Sequence, residues 1–240
     1  MQLFDMHSHI LPEFDDGSRS VDESLKLINS LKQQGVTNIC LTPHFYTNEM
    51  SVEDYIQKRN EAFERFKPHI PEDINIVLGS EVYVTQYLFS NKDLSGITYG
   101  NSRYILTEFA YDLTFSERTM QNIYMLIQNH GLIPVLPHVE RYEYLMNNPD
   151  VIAELKDVGM LIQTNISNYS DKAPFFKKRK LLKYISNSLI DILGSDAHSM
   201  THNTPEVYSQ SINTISAKCG NNRLRQMMKT SEIIFNEACE

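Results

Sequence analysis

The chain has 240 residues, 41% hydrophobic and 22% charged, with a net charge of −8. That balance excludes wholesale disorder, and the negative sign argues against a sequence-independent nucleic-acid binder. No stretch approaches about 18 uninterrupted apolar residues, so no transmembrane helix is expected.

The N-terminal residues run straight into Asp5, His7, Ser8 and His9 with no basic segment. This is not the pattern of a signal peptide, and a cytoplasmic protein is expected. The length suits one barrel-sized domain or two small ones.

In chain order, Leu3 to Met6 reads as a first strand. Ser20 to Gln34 reads as a helix, with Leu25, Ile28 and Leu31 at helical spacing and Gly35 as the stop. Val36 to Thr42 is the next strand. Ser51 and Asp54 are spaced like a capping box and open a second helix. Ile74 to Leu78 and Arg103 to Thr107 are strand candidates. Thr114 and Glu117 have capping-box spacing for a helix running to about His130. Leu132 to Leu136 reads as a strand, and Asn148-Pro149 as a helix start. Met160 to Thr164 is a strand, Phe175 to Asn187 a helix and Leu189 to Leu193 a strand. Thr204-Pro205 opens another helix, and Asn221 to Lys229 is the last.

About seven strands, most followed by a helix, imply parallel strands with helical crossovers. Nothing marks a linker, so one domain over residues 1–240 is expected, and a barrel is favoured over an open doubly wound sheet.

Cys40, Cys219 and Cys239 are odd in number and none sits in a Cys-x-x-Cys spacing. Neither a disulfide framework nor a thiolate zinc site is expected, and Cys40 reads as a small core residue. The basic run Lys177-Lys178-Arg179-Lys180 reads as a solvated helix face, with a docking patch for an acidic partner as the alternative.

The chemistry lies in what ends each apolar run. The ends carry His7-Ser8-His9, Thr42-Pro43-His44, Gly79-Ser80-Glu81, Glu108, Pro137-His138 and Asp196-Ala197-His198. In a parallel barrel these carboxyl ends share one face, where active sites sit. His7-x-His9 and Asp196-x-His198 each place two ligand-type side chains on one side of an extended backbone. Asp15-Asp16-Gly17 adds a carboxylate pair near the same rim. Five of the eight histidines fall at these ends; His69, His130 and His202 read as surface or helix-end residues. Mixed imidazole and carboxylate donors in this number suit at least two ions of the Mn, Fe or Zn kind. Clustered cations would hold a hydroxide at neutral pH and clamp phosphoryl oxygens. No Gly-x-Ser-x-Gly elbow, Walker loop, dinucleotide glycine loop or Cys-x5-Arg loop is present.

Together with His138-Val-Glu-Arg141-Tyr142, Gln163-Thr-Asn165 and Gly194-Ser-Asp196-Ala-His198, this pattern resembles the polymerase and histidinol phosphatase (PHP) superfamily. More closely it resembles the bacterial protein-tyrosine phosphatase branch that accompanies capsule or exopolysaccharide synthesis. The match covers about residues 1–205 in order.

The resemblance implies an α/β fold, a distorted (β/α)7 TIM-like barrel. Its metal site would lie at the C-terminal ends of the strands, with three divalent metals, usually manganese. It implies that His7, His9, Glu81 and Asp196 hold one metal. Glu81 would bridge to a second with Glu108 and His138. Asp16, His44 and His198 would hold the third, Asp16 rather than Asp15 because it immediately precedes Gly17. Arg141 resembles the phosphate-binding arginine, and an ion pair with Glu140 or Glu143 is its structural alternative. Asn203 stands where the family pattern carries a second arginine before a Pro-containing turn.

The implied activity is metal-dependent hydrolysis of phosphotyrosine on a bacterial tyrosine kinase. The rivals are a histidinol phosphate or small-ester phosphatase on the same scaffold, and a metal-loaded module that binds the kinase tail without turnover. Tyr83, Tyr87, Tyr111 and Tyr142 are candidates for the mouth.

Overall fold

The computed structural model describes all 240 residues. Nine short strands are present: β1 Leu3–Asp5, β2 Val36–Leu41, β3 His44–Tyr46, β4 Asn75–Leu78, β5 Glu81–Tyr83, β6 Tyr104–Glu108, β7 Ile133–Leu136, β8 Leu161–Asn165 and β9 Ile192–Gly194. Every pairing is parallel. The sheets run β1-β2-β4 and β3-β5-β6-β7-β8-β9.

Two breaks account for the excess over seven. Pro43 has no N–H to continue the ladder, so the run begun by β2 resumes as β3. Gly79-Ser80 separates β4 from β5 in the same way. Nine ladder strands, less these two interruptions, follow seven strand paths.

The ladders do not join into one continuous sheet. Isolated backbone bonds span the junctions instead: Met6 N to Leu193 O at 3.2 Å, Asp196 N to His7 O at 2.8 Å, His9 N to Ala197 O at 2.9 Å and Thr42 N to Ser8 O at 2.8 Å. The result is a distorted parallel barrel.

The helices are α1 Val21–Gln33, α2 Val52–Phe66, α3 Glu117–Tyr124, α4 Glu143–Asn147, α5 Pro149–Asp157, α6 Phe175–Ser186, α7 Tyr208–Cys219 and α8 Asn221–Cys239. Local chemistry explains three of the eight starts. The Ser20 hydroxyl accepts from Glu23 N at 3.2 Å, and that of Ser51 from Asp54 N at 3.1 Å. Pro149 occupies the first turn of α5. Most strand residues are buried, as parallel sheets under helices require, with β4 the least covered, and Phe4, Cys40, Leu106, Val135, Ile162 and Leu193 form part of one core. No helix is long and apolar enough to cross a membrane.

Four expectations need correction. Thr114 is not a cap: Ser116 precedes α3 and makes no side-chain cap bond, and past Tyr124 the helix widens into a π turn over Met125–Asn129. The short α4 was not anticipated; burial of Leu145 and Met146 pins it. The strand expected from Leu189 starts only at Ile192. The last helix does not stop at Lys229 but continues to Cys239. The polar run Lys229-Thr230-Ser231 hides the continuing period Leu224, Met227, Met228, Ile234, Phe235, Ala238, all buried, with Phe235 against Phe4 at 5.6 Å between ring centroids.

Candidate metal centre

Strand register brings the polar ends together. His44 pairs with Glu81 across β3 and β5. Tyr83 pairs with Glu108 across β5 and β6, so Glu108 sits two residues further along the same face as Glu81. Between the first and last strand paths, Ser8 and Ala197 form an isolated bridge, which sets His7 and His9 beside Asp196 and His198. Gly194 and Gly17 permit this closeness. A Cβ on Gly194 would lie 2.5 Å from the Cβ of His7, and one on Gly17 would lie 2.1 Å from the carbonyl oxygen of His9.

The side chains converge on a common volume. The Nε2 atoms of His7 and His9 face each other at 3.1 Å. Glu81 Oε2 lies 3.3 Å and 3.2 Å from them and 3.1 Å from His44 Nδ1. Asp196 Oδ1 lies 3.6 Å from His7 Nε2 and 3.5 Å from His9 Nε2. The other Glu81 oxygen, Oε1, is 2.7 Å from His138 Nε2, which is 3.5 Å from Glu108 Oε1. Asp16 Oδ1 stands 3.5 Å from His44 Nε2 and 3.6 Å from His198 Nε2.

All nine residues suggested by the sequence are therefore within one cluster. They fall into overlapping groups: His7, His9 and Asp196; His7, Glu81 and His138; His44, Glu81 and Glu108; and His9, Asp16, His44 and His198.

The cluster fits metal ions by its own chemistry. Glu81 Oε2, Asp196 Oδ1 and His138 Nδ1 are buried with no hydrogen-bond partner, a costly state for protein alone. Donors bound at about 2.1 Å to one ion stand about 3.0–3.4 Å apart, close to the separations above. No cysteine belongs to the cluster, so the donor set is imidazole and carboxylate.

Supporting residues hold these donors in place. Asp15 Oδ2 meets His9 Nδ1 at 2.7 Å and accepts from His44 N at 2.9 Å, freeing His9 Nε2 for a metal. Asp16 leaves its carboxylate largely open to solvent at 71% exposure, so of the two neighbouring aspartates only Asp15 is taken up in orienting His9. Gln163 Oε1 accepts from His138 N at 2.6 Å and lies 3.4 Å from His7 Nδ1; its Nε2 donates to Asn165 Oδ1 at 2.9 Å. Asp196 Oδ2 accepts from Arg141, from Asn165 Nδ2 at 2.8 Å and from Asn203 Nδ2 at 3.1 Å. The backbone is strained at two of the nine: His138 has φ 31° and Asp196 φ 54°. Such geometry persists where the surroundings over-determine it.

Arg141 pairs with Asp196, not with Glu140 or Glu143. Glu140 is instead taken up by Thr164, Asn165 N and Asn168. His202 is not remote from the cluster, since its ring lies edge-on to His198 at 5.5 Å. The mouth is lined by Tyr46, Tyr83 and Tyr111. Tyr142 is fully buried, bonding Phe109, and Tyr87 lies outside the mouth. Tyr46, which stacks on His44 at 5.3 Å, was missed, as was the orienting role of Asp15.

Electrostatics follow from this crowding. Burial alone pushes the His9 pKa down, but the Asp15 and Glu81 carboxylates outweigh it and raise it well above its usual value. His7 is raised for the same reason, by Glu81 and Asp196 against burial. Burial and the neighbouring His9 charge hold His198 down at about 4. Because a raised histidine pKa stabilises the fold fully below about 6.5 and ceases to do so as pH rises through the folded value, metal-free protein should lose stability upward through neutral pH. A metal must displace those protons. Calorimetry in buffers of different ionisation enthalpy is expected to register proton release on manganese binding, with affinity rising as pH increases above about 6.5. Uptake of protons, or flat affinity, would contradict this.

The fold is a distorted barrel of parallel strands and helices, with a cluster of imidazole and carboxylate side chains gathered at one face. The chain belongs to the CpsB/CapC family of capsular polysaccharide synthesis, whose model matches residues 3–234. It is 31% identical to tyrosine-protein phosphatase CpsB of Streptococcus pneumoniae over 94% of both chains. It is 30% identical to tyrosine-protein phosphatase YwqE of Bacillus subtilis strain 168, covering 82% of this chain and 78% of the relative. Its fold matches a solved structure from a study of YwqE and CpsB, described there as metal-dependent tyrosine phosphatases. The TM-score is 0.80 at 24% identity, over 98% of this chain and 95% of the other.

Proposed function

We propose that this chain is a manganese-dependent protein-tyrosine phosphatase, a single cytoplasmic domain over residues 1–240 that acts on a bacterial tyrosine kinase of capsule or exopolysaccharide synthesis. The observation that carries the reading is the convergence of His7, His9, Asp16, His44, Glu81, Glu108, His138, Asp196 and His198 with buried donors left unpartnered. Phosphatase-named relatives match most of the chain.

In this reading the nine side chains hold three divalent ions. Bound there, such ions supply a nucleophilic water at neutral pH and take up phosphoryl charge. Arg141, part exposed beside Asp196, turns its guanidinium to the phosphate as substrate enters and stabilises the charge on its equatorial oxygens. Asp15 and Gln163 fix the ring orientations of His9 and His7. Tyr46, Tyr83 and Tyr111 supply aromatic walls to a mouth of about 450 Å³, which suits an aryl phosphate.

Manganese-loaded protein should turn over a phosphotyrosyl peptide faster than histidinol phosphate or a phosphoseryl peptide. Preference for histidinol phosphate would favour the small-ester rival, and binding of phosphopeptide without turnover would favour a binding module.

No cysteine takes part in this chemistry. Cys40 is buried in the core, and Cys219 and Cys239 lie on the outer helices. A variant with all three changed to Ser is expected to keep most of its turnover, with a loss of about 1–2 kcal/mol in stability at Cys40 from burying a hydroxyl. A folded but inactive triple variant would contradict the metal-based mechanism.

A further inference from the structure

Away from the barrel mouth, α6 and α7 leave a groove of about 900 Å³ between them. Both helices begin at the face that carries the cluster, because each follows the carboxyl end of a strand. The groove therefore starts beside that face, at Asp171, Phe175 and Gln210, and runs down the flank to Ser186 and Lys218.

Its composition is unusual for this molecule. Phe175 is 65% exposed at its head, its ring edge to face with that of the neighbouring Phe176 at 5.5 Å. Behind them α6 lines the groove with Lys178, Arg179 and Lys183, and α7 adds Lys218. Each ion pair made by a lysine or arginine lies elsewhere, so none of these four cations meets a carboxylate within 4.0 Å. Lys178 donates to Ser170 O and Lys180 to Asn147. The one groove carboxylate, Asp171, is held by Gln210 Nε2 at 2.6 Å.

An isolated positive strip on a chain of net charge −8 attracts a short anionic segment, while a long polyanion meets repulsion from the rest of the surface. We infer that the α6–α7 groove docks an acidic, apolar-containing peptide segment of the phosphoprotein substrate, flanking the phosphotyrosine; this rests on the phosphatase reading above. The twelve residues of α6 extend about 18 Å, which about five residues of extended peptide would span. Acidic side chains would meet the lysines, and an apolar one would meet Phe175 and Leu182.

Two measurements test this. The first compares phosphotyrosyl peptides with a neutral and with an acidic extension, using manganese-loaded protein. The acidic extension is expected to lower KM about tenfold at low salt, an advantage that shrinks as salt screens the strip. Lys183→Glu with Lys218→Glu, and separately Phe175→Ala, should erase that advantage and leave kcat and the neutral-peptide KM unchanged; all three side chains are exposed. The second measures anisotropy of a labelled acidic peptide lacking phosphate, which needs no turnover. If neither phosphopeptide is hydrolysed, the phosphatase reading fails and this second arm still decides the docking. Equal KM for both peptides, or variants that bind the acidic peptide as the parent does, would overturn the inference. Adhesion to phosphatidylglycerol vesicles without peptide discrimination would overturn it in favour of a lipid surface.

Discussion

Glu81→Gln is expected to remove metal and turnover together. Glu81 is buried and reaches His7, His9, His44 and His138 with its two oxygens, so a neutral amide withdraws a shared anionic donor from every part of the cluster. A loss of about a thousandfold in kcat, or about 4 kcal/mol of barrier, is expected. His7→Ala and Asp196→Ala should behave alike. Bound metal at about a thousand times its Kd stabilises by about 4 kcal/mol. Parent protein should therefore gain on the order of 10 °C in Tm with manganese, and Glu81→Gln should gain little. Circular dichroism checks that the variant is folded. Full activity in a variant that no longer binds metal would refute the assignment.

Arg141→Ala separates phosphate recognition from metal binding. The guanidinium donates to the Tyr111 hydroxyl at 3.2 Å and to Oδ2 of Asp196, which Asn165 and Asn203 also hold, while Oδ1 of Asp196 faces the histidines. Metal content should persist while kcat/KM falls about 100-fold, the loss of a charge-assisted contact of about 3 kcal/mol. Arg141→Lys should recover little, because an ammonium cannot present the planar fork. Asn203 sharpens the point. It already reaches the same carboxylate oxygen, but it gives one neutral hydrogen bond and no charge. Asn203→Arg is expected to raise kcat/KM about tenfold. Its φ of 47° sets a cost of about 1 kcal/mol in the left-handed region, which suits Asn better than Arg. A drop in kcat/KM for Asn203→Arg, with a marked loss for His202→Ala, would move the role to His202.

Much of this arrangement was legible in the sequence because strand ends are local features. A ligand pair such as His7-x-His9 or Asp196-x-His198 needs only an extended backbone to point one way, and alternation of strand and helix sends all such ends to one face. What the sequence hid depends on contacts between distant segments. Asp15 and Asp16 are adjacent and chemically alike; only the approach of His9 Nδ1 and His44 N to Asp15 distinguishes orienter from ligand. His202 is exposed, as read, but only the turn after His198 shows that its ring lies against the His198 ring. The strands read from the sequence end at Thr42 and Leu78, and their short continuations past Pro43 and Gly79-Ser80, β3 and β5, carry no apolar run long enough to be seen. The polar run within α8 masked a helix held by tertiary burial rather than by local signals.

The central claim is that chemistry here belongs to metal held by this cluster. Its most direct test is metal content by mass spectrometry on protein purified without chelator, followed by turnover of a phosphotyrosyl peptide before and after exhaustive removal of metal. The account predicts more than one equivalent of divalent metal, loss of turnover with its removal and recovery when manganese is restored. Undiminished turnover in excess EDTA after prolonged dialysis, with no metal detected, would contradict it.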